Sequence, residues 1–327
     1  MSRRTLAIVA VVALAVVIAL AFAAANTNTS QAAEDEVPVA GPTAGTSAYE
    51  YMAELSDEIG PRVAGKTGEA QAAERITQWF TDLGYIPETQ EFTFADGGTK
   101  RDSRNVIVVK PGDSAQQIVI GAHYDSVSAG RGAFDNASGV ALMMELADAL
   151  RSETTPYTLV FVAFGAEEAG LRGSAHYVSE MTQEARAQTI LMINFDSVAT
   201  GDRLYCYSSR DAAWPQLMIR SIARQQDATI LTSPGMNRSY PYGTTGDWSD
   251  HAAFLKGGIP YLYLEATNWL IGDKDGYENT TKDGEIWHTR KDTISFIEQR
   301  YPGRMEEQLE TEFGVLATFL TEFTVAN

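Results

Sequence analysis

An α/β fold with a mostly parallel, mixed central sheet flanked by helices is predicted by three features of the sequence. Short β-rich apolar runs, IVIGAHYD over 118–125, LVFVAFGAEE over 159–168 and ILMINFDS over 190–197, have the composition of strands buried on both faces. Segments of helical spacing alternate with them, which is the βα pattern of a parallel sheet. The chain of 327 residues can bury a sizeable core, and beyond residue 46 it shows neither a linker nor an internal repeat, so one domain over 47–327 is expected.

The elements follow in order. Arg3 and Arg4 precede an uncharged apolar run over 5–25 that ends in Ala23, Ala24 and Ala25, the layout of an export signal with an Ala-x-Ala cleavage site. That run also approaches the ~20 residues that span a bilayer, so an N-terminal anchor is the rival. Either way the expected location is outside the cytoplasm: secreted, periplasmic or anchored to the membrane by residues 5–25. Residues 26–46 lack periodicity and are rich in Thr, Ala, Pro and Gly, as a linker or propeptide would be. Helical spacing predicts helices over 48–59 and 67–83, with a loop over 60–65 between them and Gly84 as the stop. Strands are expected over 88–94, 105–109 and 117–122. A helix over 138–150 then places the loop 130–137 at a helix N-terminus. A strand over 158–164, a helix from near Leu171, a strand over 190–195 and the strand-like RLYCYSS continue the alternation. A helix over 212–226, a strand over 260–265 and an amphipathic helix over 304–324 complete it. The segments 232–250 and 268–286 are rich in Gly, Asp, Asn and Tyr, and long loops of that kind shape binding sites.

Composition narrows the function. The 43 acidic against 25 basic side chains leave a net charge of -18, which argues against nucleic acid as a partner and favours a soluble, cation-attracting surface. The one cysteine, Cys206, can form neither an internal disulfide nor a thiolate zinc site, and is expected as a buried core thiol. No G-x-S-x-G occurs, so a serine hydrolase with a nucleophile elbow is excluded.

In open α/β sheets ligands bind beyond the carboxyl ends of the strands. The three apolar runs end there in His123, Asp125, Glu167, Glu168 and Asp196, and Asp135 lies in the nearby loop FDNASG. A single imidazole among carboxylates, joined later by His288, is the donor set of a hydrolytic zinc centre. Neighbouring side chains in extended chain point in opposite directions, so one glutamate of the adjacent pair can fix an ion while the other faces the substrate and takes a proton. Asp125, two residues after His123, shares its face and can orient the imidazole. His176 is expected as a structural helix residue.

The motifs HYDS, FDNASG, GAEEAGLRGS, NFDS, SDHAAF and WHTRKDT, in this order over most of 120–292, resemble the M28 family of zinc aminopeptidases and related exopeptidases. The resemblance implies a single zinc-exopeptidase domain that acts on peptide or protein N-termini, here expected as a monomer. It implies two zinc ions, the first held by His123, Asp135 and Asp196, the second by Glu168 and His288, with Asp135 bridging. Glu167 matches the general base, Asp250 and His251 lie near the site without being ligands, and the Asp135–Asn136 peptide is expected cis. Two dipositive ions against Asp135, Asp196 and Glu168 leave a formal charge of about +1, which suits a carbonyl oxygen. A finer resemblance, carried by NRSYPYGTTGDWSDHAAF, EATNWLIGDKDGY and WH, is to the branch with the bacterial alkaline phosphatase isozyme-conversion aminopeptidase, which trims an N-terminal arginine. Many members place Tyr before the last histidine ligand; Trp287 stands there in this chain, and Trp287, Tyr240 and Tyr242 are the candidate oxyanion donors.

Two further choices stay open at this level. Asp247, Asp273, Asp275, Glu278 and Asp283 in the two long loops predict a pocket for a cationic N-terminal side chain, whereas Trp248, Trp269 and Leu270 would make an apolar one. The rival functions are an M28-type carboxypeptidase, a single-zinc glutaminyl cyclase, and a metal-free ectodomain, the last disfavoured because every ligand position is filled.

Overall fold

Residues 47–324 are described by a computed structural model of the chain. The signal or anchor expected over 1–25 and the linker expected over 26–46 lie outside the described residues. Among those described, no helix is long and apolar enough to cross a membrane.

Eight strands form one sheet: β1 (Glu88–Asp96), β2 (Thr99–Lys110), β3 (Ser114–His123), β4 (Tyr157–Phe164), β5 (Thr189–Phe195), β6 (Arg203–Ser208), β7 (Ile230–Leu231) and β8 (Tyr261–Thr267), in the order β1-β2-β4-β3-β5-β8-β6-β7. The central strands β4, β3, β5 and β8 are mutually parallel, and antiparallel pairings flank them on both sides. The predicted mixed, mostly parallel sheet is therefore present. Strand β2 is much longer than the expected 105–109, because its polar first half pairs with β1 in a hairpin closed by Gly97 and Gly98. Both glycines have positive φ, the conformation that a tight two-residue turn requires.

The helices are α1 (Ala48–Ala53), which continues into a π-helical segment Glu54–Ile59, then α2 (Thr67–Asp82), α3 (Ser138–Leu150), α4 (Arg172–Glu180), α5 (Gln183–Gln188), α6 (Trp214–Gln225), α7 (His251–Lys256), α8 (Ile294–Arg300) and α9 (Arg304–Glu322). Helices α5, α7 and α8 are too short for periodicity to reveal them. Alternation along the strands divides the core. Ile118, Phe161 and Ile193 face one layer, where they meet Ile76, Leu142 and Leu316 from α2, α3 and α9. Val119, Val162 and Met192 face the other, against Val178 of α4 and Phe254 of α7. Burial on both faces is why these strands are continuous apolar runs. Cys206 is a fully buried core thiol, and His176 packs on Phe92 with ring centroids 5.2 Å apart.

Candidate metal centre and substrate cavity

His123 is the last residue of β3 and pairs in register with Phe164, the last residue of β4. The turn that carries Glu167 and Glu168 thus begins level with the imidazole. Asp196 follows directly on β5, the other parallel neighbour of β3. Asp135 sits in the segment Ala133–Ala137 that leads into α3, where its own backbone is not helical (φ -116°, ψ 95°), and the Asp135–Asn136 peptide is cis. Asn136 ties these elements together: its Nδ2 donates to Phe195 O at 2.8 Å, while its Oδ1 accepts from Gly139 N at 3.0 Å and Ser197 N at 3.1 Å. His288 arrives from the long chain segment beyond β8.

His123 Nε2 lies 3.3 Å from Asp135 Oδ1, 3.5 Å from Asp196 Oδ1 and 4.0 Å from Glu167 Oε2. His288 Nε2 lies 3.1 Å from Asp135 Oδ2 and 3.0 Å from Glu168 Oε2. The two oxygens of Asp135 therefore face two different histidines. Zinc bonds of roughly 2.0–2.2 Å in a tetrahedron space their donor atoms about 3.3–3.6 Å apart, close to what His123, Asp135 and Asp196 show. Two groups of three donor atoms lie close enough to hold an ion: His123, Glu167 and Asp196, with Asp135 Oδ1 beside them, and Asp135, Glu168 and His288. Glu168 Oε1 is buried with no hydrogen-bond partner, an atom that burial should not leave unanswered. By donor chemistry, spacing and this orphan oxygen, the residues fit a pair of zinc ions.

The protein's own charges show how crowded the site is with acids. Burial, reinforced by Asp250, Asp196 and Glu168 against the opposing pull of His123, pushes Glu167 well above the usual carboxylate range. Burial and Asp135 raise Glu168 to about 7. Bonds from His123 and His288 overcome burial and hold Asp135 low, while bonds to Asp135 and Glu168 raise His288 to about 11. Burial alone would lower His123, yet the carboxylates of Glu167 and Asp196 carry it well above its ordinary value. Such mutual stabilisation of imidazole and carboxylate is the role a metal cation takes over.

Several expectations change in detail. The Glu167–Glu168 pair lies in a turn rather than in extended chain, entered through Ala166 at φ 54°. The two side chains still diverge to the two donor groups. Asp125 faces Nδ1 of His123 with its carboxylate, Oδ1 at 3.6 Å, and with its backbone oxygen at 3.2 Å. The same carboxylate also accepts the Glu167 and Glu168 N–H groups at 2.9 and 3.1 Å, and so fixes the turn as well. His251 is fully buried, stacked on Tyr263, with Nε2 3.0 Å from Gly246 O; burial lowers it to about 4. Neighbouring Asp250 is equally buried and raised by burial to about 7.

A cavity of about 420 Å³ opens over these donors. Besides Gly170 and Leu171 after the glutamate pair, its wall comes from the two long loops and the His288 segment: Tyr240, Asp247, Trp248, Asp275, Tyr277 and Trp287. Trp287 stacks on His288, and its buried Nε1 has no partner. Tyr242 does not line the cavity; it is 61% exposed and its hydroxyl accepts from Arg220. Of the five loop acids only Asp247 and Asp275 reach the wall. Asp283 is engaged elsewhere, by Arg300 at 2.8 and 3.0 Å and by Tyr301. Of the apolar alternatives Trp248 alone lines the cavity, since Trp269 is buried behind Tyr240. The sequence reading missed Tyr277 in the wall, and also Arg62 and Asp292, whose only local signal was an arginine in a Gly-Pro-Arg loop and an acid shortly after His288.

Comparison with known proteins identifies the family. The model of peptidase family M28 matches residues 105–311. The alkaline phosphatase isozyme conversion protein of Escherichia coli is 32% identical over 306 residues, spanning 81% of this chain and 87% of that protein. Aminopeptidase YwaD of Bacillus subtilis is 31% identical over 61% of this chain, which spans only 41% of that relative. Two solved structures share the fold: a zinc aminopeptidase from Bacillus subtilis, with TM-score 0.67 at 19% identity over 85% of this chain and 96% of that one, and the glutaminyl cyclase of Porphyromonas gingivalis, with TM-score 0.65 at 20% identity over 84% and 96%. With the family model covering more than half of its length, and with an extended relative above 30% identity, the chain belongs to peptidase family M28.

Proposed function

We propose that the chain is a dizinc aminopeptidase with Glu167 as general base and a preference for a cationic N-terminal side chain. The coarser part of this reading, a zinc-dependent aminopeptidase, follows from membership of family M28 and from relatives named as aminopeptidases. The observation that carries the finer part is Asp135, whose two oxygens face His123 and His288 at 3.3 and 3.1 Å.

His123, Asp135 and Asp196 would hold one zinc ion, and Asp135, Glu168 and His288 the other. Bound there, two zinc ions supply Lewis acidity to a peptide carbonyl and lower the pKa of water at the site. Glu167 stands farther from His123 than Asp135 and Asp196 do, which leaves its carboxylate for the substrate side. It accepts a proton from the attacking water as the new C–O bond forms and the carbonyl oxygen takes up negative charge, then delivers that proton to the amine nitrogen as the oxyanion collapses and the scissile C–N bond breaks. Trp287 Nε1, buried and unbonded, and the Tyr240 hydroxyl are the donors for the developing oxyanion.

The cavity lining supports an N-terminal rather than a C-terminal substrate. Among the described residues it contains acids and aromatic rings and no lysine or arginine to receive a terminal carboxylate. Asp247 and Asp275 suit an arginyl or lysyl side chain, with Tyr240, Trp248 and Tyr277 to pack its stem.

The test is metal analysis joined to a panel of aminoacyl anilides. Two zinc ions per chain are expected, with activity lost on chelation and restored by zinc, absent on N-blocked substrates, and higher on arginyl than on leucyl anilide. One zinc per chain together with cyclisation of N-terminal glutamine would replace this reading with the cyclase one.

A further inference from the structure

Arg62 is wholly buried, and every hydrogen bond of its guanidinium runs to a backbone carbonyl. Nε donates to Tyr124 O at 2.7 Å, Nη1 to Leu55 O at 3.1 Å, Gly60 O at 3.0 Å and Arg131 O at 2.9 Å, and Nη2 to Gly132 O at 2.7 Å. Burying a cation is costly unless something answers its charge, and none of these acceptors is a carboxylate. Its charge is answered at longer range by Asp292, Asp125, Asp135 and Glu168, so that burial lowers its pKa only to about 10.

Two of those carbonyls, of Arg131 and Gly132, belong to the loop that delivers Asp135. The N–H groups of the same loop are held from another direction by one residue. Arg131 N donates to Asp292 O at 2.8 Å, Phe134 N to Asp292 Oδ1 at 2.6 Å and Asp135 N to Asp292 Oδ2 at 3.2 Å. Gly132, at φ +61°, closes the arrangement, since a Cβ there would come within 2.7 Å of Arg62 Nη2 and 2.6 Å of Ser126 Cβ.

We propose that Arg62 and Asp292 are positioning residues that clamp the backbone of residues 131–135 from both sides and thereby hold Asp135 with one oxygen toward each histidine. The inference rests on the two-zinc reading above. A carboxylate that serves two partners has little positional tolerance: displacement of its loop by roughly 1 Å leaves it facing only one of them.

The test uses the full chain and reads zinc affinity by competition with a chromophoric chelator, at a temperature where circular dichroism shows each variant folded. Arg62→Lys keeps the charge but has three donors for five carbonyls, and Asp292→Asn turns an amide N–H toward one of the two backbone N–H groups. Each should weaken zinc binding by about 10- to 100-fold, the usual cost of losing an outer partner of a metal ligand, and shrink the rise in Tm on adding zinc. Ile219→Val, a core change in α6, which packs on β6 and α9, should lower Tm and retain wild-type zinc affinity. If Arg62→Lys does not fold, Asp292→Asn decides alone. Folded clamp variants with wild-type zinc affinity overturn the proposal, whatever their Tm. A wild-type chain that binds no zinc instead overturns the two-zinc reading, and the first titration shows this before any variant is made.

Discussion

The tips of β3, β4 and β5 and the loops that wall the cavity meet at one site, yet they are held in different ways. At the strand tips nearly every group that shapes the centre is buried and fixed by bonds to backbone: Asp125 on the Glu167 and Glu168 amides, Asn136 between Phe195 and Ser197, Asp292 on Phe134 and Asp135. The wall loops are tied within themselves and to the sheet, as by Ser233 Oγ and Thr244 Oγ1 to Pro241 O and Ile286 N to Asn279 Oδ1, but less to each other. Among the described residues one hydrogen bond, Asn237 Nδ2 to Asp273 O at 3.1 Å, links the two loops, beside ring packing of Tyr240 on Trp269. Met236 and Leu270 in these loops are 60% and 44% exposed. The chemistry thus stands on an over-determined frame, and selectivity on a surface that can change without disturbing it.

That contrast predicts effects of very different size. Glu167→Gln, nearly isosteric and unable to take a proton, should lower kcat by roughly 10²- to 10⁴-fold while zinc content and KM hold. An emptied zinc site in this variant would mean that the adjacent glutamates exchange roles. Glu168→Gln should instead release one zinc, weakening its binding by more than the ~10- to 100-fold that an outer partner costs; intact metal content there would break the assignment from the other side.

Changes in the wall should be milder and should spare the centre. Asp275→Asn and Asp247→Asn should each lower the ratio of arginyl to leucyl kcat/KM by about 10-fold, equivalent to ~1.4 kcal/mol, with leucyl turnover and zinc content unchanged. A wild-type preference for leucyl anilide that added salt does not alter would remove the role of both acids and leave the zinc chemistry as it stands.

A last effect lies outside both regions, is read in stability and not in activity, and tests why buried acids are tolerated at the centre. Glu312, on α9, is fully buried and neither carboxylate oxygen has a hydrogen-bond partner. Burial raises its pKa well above the ordinary value, so the folded protein holds this proton more tightly than the unfolded chain does. Its cost to stability is absent below the unfolded value near ~4.3 and grows as pH rises from there through the folded value. Glu312→Gln should gain about 1–3 kcal/mol over wild type at high pH and lose that advantage toward pH 4. Parallel Tm curves for the two proteins across this range would contradict the account.

Much of the fold was legible before any coordinates. Helix α3 has the expected bounds, and the three central strands that carry the site lie where their apolar runs put them, because burial on both faces writes an uninterrupted pattern into local sequence. The first half of β2 was hidden, because an exposed hairpin arm such as TKRDSR carries no apolar alternation. The short helices α5, α7 and α8 were hidden for want of a full period. At the site, the residue types and their placement at strand ends were enough to mark a candidate metal centre, since ligand chemistry is a property of side chains and the strand-end rule a property of topology.

What local sequence determined, then, was the donor set, the strands that carry it and the long loops that border it. Tertiary structure alone decided which donors face each other, that Asp125 holds the glutamate turn as well as facing an imidazole, that Asp247 and Asp275 reach the cavity while Asp283 is taken by Arg300, and that a buried arginine and an aspartate grip the loop of Asp135. The reason is physical. Periodicity and propensity act over a few residues, whereas Arg62 meets Gly132 across 70 positions and Asp292 meets Phe134 across 158, and such pairings exist only once the packed sheet has brought those backbones together.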